Sequence, residues 1–258
     1  TRTGFSGEKL LNTAKWDQMA PFNKYTPNKY PVGCAATAGA IVMQYHGYPA
    51  KGTGSHSYKW DGKTLTAQFE HEYDWANMPA RYDGTNAADF DGVARLMSDL
   101  GVAVDMQYTE DGSGSYISDL VAAMQKYFGY SKISHQMSIE AGSAEEWNEK
   151  LRGEIDANRP VLYAAFDSIG GGHAFVIDGY KDDSFSVNWG WGGLCNGFYH
   201  IGALNPQNEE GKPVASRYNV GQMAVFGMEP SDGKEKISDM RFTKMTDYLQ
   251  EMNMNVTD

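Results

Sequence analysis

Two residues in this chain have the type and setting that nucleophilic chemistry asks for. They are Cys34, in "PVGCAATAGAIVMQYHGYP", and His173, in "GGGHAFVIDGY". The thiolate is the strong nucleophile, and a free cysteine with a pKa of about 8.5 is mostly protonated at neutral pH. A helix N-terminus presents unpaired N–H groups and a partial positive charge. A cysteine opening a helix therefore gains thiolate character, and the same N–H groups can hold an oxyanion. Gly33 lets the backbone turn sharply into such a helix, and Ala35, Ala36, Ala38, Gly39 and Ala40 let other elements pack closely around it. On this stretch alone, an inert cysteine on a core helix is an equal reading.

A nucleophilic cysteine needs a base and an orienter for that base. The histidines are His46, His56, His71, His135, His173 and His200. His173 stands at the start of an apolar strand, after three glycines that let a substrate backbone approach. One short loop later, "FSVNWGWGG" offers Asn188 to hold the imidazole and Trp189 to shield that bond from water. Cys, His, Asn is the chain order of papain-like peptidases. Asp178, on the same strand as His173, is the alternative orienting acid, and a purely structural hydrogen bond is the alternative role for His173. His46 reads as an imidazolium at a helix C-terminus, His200 as a packed mid-strand residue, and Cys195 as a free thiol in a turn. Other chemistries lack their motifs. "HEYDW" has no second histidine of a zinc-protease HExxH, G-x-S-x-G is absent, and "GTGSHS" has no GK[ST]. No metal or cofactor is implied.

These side chains must be positioned by two kinds of element. Residues 34–46 read as a helix stopped by Gly47 and Pro49. "GEKLLNTAKW" carries an earlier helix signal, and residues 50–85 read as loops with short strands. Apolar residues at helical spacing predict helices over 87–100, capped by Gly101, and 116–128, capped by Gly129. Ser143-x-x-Glu146 is a capping box that opens another helix. Strand-like runs follow: "PVLYAAF", "HAFVIDGY", "SFSVNWG", "GFYHIGAL" and "QMAVFGME". The expectation is an α+β fold with a mostly helical lobe over about 1–130 and an antiparallel β lobe over about 131–230. Together they make one catalytic domain, 1–230, with a cleft between the lobes. A tail, 231–258, contains the amphipathic pattern "ISDMRFTKMTDYLQEM".

The bulk properties narrow the partners. The chain has 258 residues and a net charge of -11, which disfavours nucleic acid or an anionic membrane surface. No apolar run approaches the roughly 18 residues of a membrane helix. "TRTGFSGEKL" lacks a signal-peptide pattern, as a processed mature chain also would. The 16 Tyr and 6 Trp fit an extracellular or periplasmic protein.

"GCAATAGAIVMQYHGYP", "VAVDMQY", "FGY", "GGHAFVIDGY", "VNWGWGGLCNGFYHIGALNP" and "QMAVFGMEP" together resemble, in order and spacing, the signature blocks of the streptopain family of bacterial cysteine peptidases. The resemblance runs from about residue 8 to about 230. It places the nucleophile on Cys34, the base on His173, the covering tryptophan on Trp189 and the preceding asparagine on Asn188. "KWDQMAPFN" matches the element supplying an oxyanion-hole glutamine, which falls on Gln18 once the intervening loop folds back. The resemblance implies a papain-like two-lobed fold and a secreted or cell-surface bacterial endopeptidase. It also implies a zymogen held by its own N-terminal propeptide, of which this chain is the mature form, and a virulence or nutritional role in degrading protein. An apolar preference at the P2 site is a family expectation. Two departures stand out: Ala-Ala-Thr-Ala-Gly-Ala-Ile replaces Val-Ala-Thr-Ala-x-Ala-Gln after the cysteine, and "QNEEGKPVASRYNVG" replaces a Gly-rich loop beside the cleft. A binding module that has lost activity, and an acyltransferase passing the acyl group to an amine, are the competing readings.

Overall fold

The computed structural model describes residues 4–235. The second half of the chain builds the frame. β5 (Val161–Phe166) and β6 (Gly172–Lys181) are buried almost throughout, as strands covered on both faces must be. With them β4 (His135–Ser138), β7 (Ser184–Asn188), β8 (Gly197–Tyr199) and β9 (Val220–Phe226) form an antiparallel sheet in the order β4-β9-β5-β6-β7-β8. Side chains alternate faces along each strand. Leu162, Ala174 and Val176 join one hydrophobic cluster, whereas Tyr163, Phe175 and Ile177 join the other.

The first cluster belongs to the helices. α1 (Cys34–His46) is apolar all round and buried from Ala35 to Met43, which fits a helix enclosed by other elements. It packs on β6, α2 (Asp91–Ala103) and α3 (Ile117–Tyr127). Gly39 makes the α3 contact possible, since a Cβ there would lie 2.7 Å from Leu120 Cδ1. The hairpin of β2 (Ser55–Trp60) and β3 (Lys63–Gln68) covers α2. α4 (Ala144–Asp156) lies on the opposite face of the sheet through Trp147, Leu151 and Ile155. Its capping box is formed: Glu146 N–H donates to Ser143 Oγ at 3.2 Å, and Ser143 N–H to Glu146 Oε2 at 2.8 Å.

The early helix expected over "GEKLLNTAKW" does not form. Glu8–Leu10 is instead a strand, β1, paired antiparallel with Gly179–Lys181 at the end of β6. Gly7 and Asn12 take φ of 100° and 53°, which stop a helix on either side, and the Leu11 N–H donates to the Asp178 carbonyl at 2.8 Å. The first residues therefore belong to the sheet. α2 starts four residues later than expected, after a 3-10 turn at Ala87–Phe90, and runs through Gly101. That glycine is not a cap; it makes room for Tyr108, whose hydroxyl would lie 2.0 Å from a Cβ. The expected tail helix lies outside the described residues beyond 235. Among the described residues no helix is long and apolar enough to cross a membrane.

Candidate active site

Cys34 is the first residue of α1, and what precedes it is tightly specified. Gly33 sits at φ 95°, ψ 136°, and a Cβ there would come 2.5 Å from Met106 Sδ. Gly33→Ala combines that conflict with a backbone region L-residues avoid, so a loss of about 3 kcal/mol in unfolding free energy is expected, read from the urea midpoint. The Val32 N–H donates to the Gln18 carbonyl at 2.9 Å, so the 19–31 loop does fold back and sets Gln18 beside the start of α1. Ser113 Oγ adds a hydrogen bond to the Pro31 carbonyl at 2.7 Å. Burial pushes the Cys34 thiol up, against the main-chain N–H groups of Ala174, Ala35 and Cys34 itself, which favour thiolate. α1 packs on β6, and Ala174, whose N–H is among the groups that favour the thiolate, is the residue that follows His173.

His173 opens the buried run of β6 and is 7% exposed. Its Nε2 bonds the Trp189 carbonyl at 2.8 Å. A carbonyl only accepts, so Nε2 carries the proton and the lone pair of the neutral ring is left on Nδ1. Burial lowers His173 to about 4, with the Trp189 carbonyl acting in the opposite direction. Indole and phenol rings wall the imidazole: Trp191 stacks at 4.8 Å, Tyr218 lies at 5.3 Å and Trp189 at 6.2 Å.

The structure corrects the expected orienter. Asn188 does not touch the imidazole. Its Nδ2 donates to Thr13 Oγ1 at 2.9 Å and to the Ala14 carbonyl at 2.8 Å. The main-chain oxygen one residue later takes the place expected of its side chain. Asp178 does not reach His173 either, and accepts from the Thr13 hydroxyl at 2.6 Å. Trp189 is fully buried, its indole N–H donating to the Cys195 carbonyl at 3.0 Å. Cys195 is a free, buried thiol in a turn at φ 64°.

Two histidines differ from expectation. His200 is exposed just beyond β8, because the strand ends at Tyr199. His46 is not an imidazolium: it is partly buried beside Tyr45 and Tyr130, and burial, with Arg159 nearby, lowers it to about 4. Between that value and the ordinary 6.5 the unfolded chain binds a proton that the folded chain refuses. Neutral His46 therefore contributes its full stability above pH 6.5, and about 1.4 kcal/mol per unit is lost as pH falls towards 4. In urea unfolding, wild type should lose about 1.5 kcal/mol more than His46→Phe between pH 6.5 and 5.

Trp191 and Tyr218 went unassigned in the sequence. For Trp191 the W-G-W spacing was the available signal, since rings two residues apart stack here at 5.7 Å. For Tyr218 there was none, because it comes from the loop that departs from the family pattern. Two surface cavities, of about 850 Å³ beside Trp147 and His200 and about 610 Å³ beside Met78 and Asp89, lie away from Cys34. Among the described residues no cluster of three His, Cys, Asp or Glu is arranged to hold a metal ion.

A cysteine thus opens a buried helix that packs against an antiparallel sheet carrying a buried histidine. Residues 16–199 match the model of the Peptidase C10 family, and the chain belongs to that family. It is 35% identical to streptopain of Streptococcus pyogenes over 209 residues, 77% of this chain and 52% of streptopain. It is 32% identical over 241 residues to the thiol protease/hemagglutinin PrtT of Porphyromonas gingivalis, 89% of this chain but 28% of that protein. The chain thus spans about half of the first and under a third of the second. Active wild-type interpain A of Prevotella intermedia, a cysteine protease, superposes with a TM-score of 0.78 at 35% identity, over 88% of this chain and 97% of that one. A prointerpain A fragment gives 0.74 at 33% identity, over 90% of this chain and 75% of that one.

Proposed function

We propose that this chain is the catalytic domain of a secreted endopeptidase working through Cys34 and His173. The observation that carries the reading is the Nε2–Trp189 carbonyl bond, which leaves Nδ1 as the base on β6, the strand against which the Cys34 helix packs. Burial opposes a lone thiolate and a lone imidazolium alike. The two charges are tolerated together, because a proton moved from sulfur to Nδ1 leaves the pair neutral overall.

The thiolate attacks the scissile carbonyl carbon, a C–S bond forms, and the electron pair moves to the carbonyl oxygen. N–H groups at the start of α1 and the Gln18 amide hold that oxyanion. Collapse breaks the C–N bond as the imidazolium gives its proton to the leaving amine. Water then attacks the thioester, Nδ1 takes the water proton, and the acid product leaves with the thiol restored. The Trp189 carbonyl positions the imidazole, and Asn188 acts only behind it, through the Gly190 N–H. The cleft lies between the helical and sheet halves, divided near residue 130, and the substrates are proteins and peptides. A propeptide ahead of this chain inhibits the precursor, in keeping with the existence of a prointerpain A.

Product analysis with and without an added amine tests the reaction. Hydrolysis gives free carboxylates whether or not amine is present. Amide products dominating with amine would make the chain an acyltransferase, and binding without turnover would make it a binding module.

A further inference from the structure

Behind His173 runs a buried polar chain that begins in the first residues of the described structure. The Trp189–Gly190 peptide bond is held at both ends: its carbonyl accepts from His173 Nε2 at 2.8 Å, and its N–H donates to Asn188 Oδ1 at 3.2 Å. The Asn188 amide has one consistent orientation, since the Ala14 carbonyl can only accept and the Gly190 N–H can only donate. Its Nδ2 also donates to Thr13 Oγ1 at 2.9 Å, and the Thr13 hydroxyl spends its single proton on Asp178 Oδ2 at 2.6 Å. Thr13, Asn188 and Asp178 are 3%, 1% and 8% exposed, so water does not substitute for these bonds.

The fold has aimed Asp178 at this chain. The β6–β7 register shifts between Ile177 and Gly179, so Asp178 occupies a bulge, a device that redirects a side chain within a ladder. Gly190, at φ 73°, lies against α1, where an added Cβ would be 3.2 Å from Thr37 Cγ2. The peptide that orients the imidazole is therefore clamped between the nucleophile's helix and the N-terminal segment. That segment is itself tied down: the Leu11 N–H meets the Asp178 carbonyl at 2.8 Å, and the Gly192 N–H meets the Trp16 carbonyl at 3.0 Å.

We infer that Thr13 and Asp178 are positioning residues for catalysis, acting through Asn188 and the Trp189–Gly190 peptide to hold the position and angle of the His173 imidazole. The inference rests on the dyad reading above. Thr13 is suited to the task because its hydroxyl must donate to the carboxylate, which leaves only a lone pair for Asn188. That lone pair gives the second Asn188 N–H a buried acceptor and ties the amide to the Asp178 carboxylate. It also couples the N-terminal segment around Thr13 and Ala14 to the His173 imidazole. An N-terminal segment displaced from the sheet would leave the histidine less constrained.

The test compares wild type, Thr13→Val and Thr13→Ser. The fraction of competent enzyme is counted by titration with an irreversible cysteine-directed inhibitor, so misfolded protein drops out of the rates. Valine keeps the shape and removes the hydroxyl; serine restores it. For a chromogenic peptide, Thr13→Val should lower kcat per titrated site about tenfold with KM within about twofold, and Thr13→Ser should return kcat to within about twofold of wild type. A Thr13→Val enzyme with wild-type kcat per site would overturn the inference, as would a Thr13→Ser enzyme no better than Thr13→Val. If Thr13→Val yields no titratable protein, Asp178→Asn replaces it, with the expected drop in kcat per site smaller but KM again unchanged. An unchanged kcat there overturns the inference. A His173→Ala enzyme with wild-type kcat and the wild-type pH profile would instead overturn the dyad reading beneath it.

Discussion

His173→Ala should lower kcat for peptide hydrolysis by about 10²–10⁴-fold while leaving KM within a few-fold, since the imidazole moves protons in the transition state and does little to hold the substrate. The variant has a second signature. Without a base alongside it, Cys34 is a thiol whose pKa burial has raised, so it must ionise to solvent before it can attack. Residual activity should therefore climb with pH through and beyond the ordinary thiol range. Wild type draws its thiolate from proton transfer to Nδ1 and should show a plateau near neutrality. Steady-state kinetics from pH 5 to 10 on both proteins checks this. A variant with the wild-type pH profile would mean that His173 is not the base.

Gln18→Ala should cost about 10²–10³ in kcat, the usual effect of removing one oxyanion donor. The design is clean because the backbone does the positioning: the Gln18 carbonyl accepts the Val32 N–H at 2.9 Å, and the Gln18 N–H meets Asp17 Oδ1 at 2.6 Å. Truncating the side chain leaves both bonds in place, so the helix start keeps its geometry. Gln18→Glu should be no better than alanine, since a carboxylate repels the developing oxyanion. Single-turnover acylation with an activated ester separates the effect from substrate binding. Acylation at the wild-type rate would remove Gln18 from the oxyanion hole.

Much of this architecture could be read from residue types, and the failures have identifiable causes. α1 was legible because Gly33, a run of small residues and a Gly47 stop agree with one another. α4 was legible from its capping box, and β5, β6, β7 and β9 from short apolar runs between turns. "GEKLLNTAKW" was misread because local helical spacing was outcompeted by ladder bonds to Gly179–Lys181, residues too distant in sequence to be seen. The same distance hid the orienter of His173. A side chain such as Asn188 announces itself in a sequence, whereas a main-chain carbonyl is present at every residue and does not. The bulge at Asp178 turned its side chain towards Thr13, and strand alternation gives no warning of a bulge. His46 was expected to be charged from its place at a helix C-terminus, but the surrounding tyrosines bury it, and desolvation outweighs the helix dipole.

The central claim is that Cys34 is a nucleophile activated by His173, and labelling with an epoxysuccinyl cysteine-peptidase inhibitor tests it most directly. Peptide mass spectrometry of native protein beside His173→Ala reads the outcome, with casein cleavage followed in parallel. A single adduct on Cys34, lost together with cleavage in the variant, is the expected result. No adduct, or one on Cys195 alone, would contradict it.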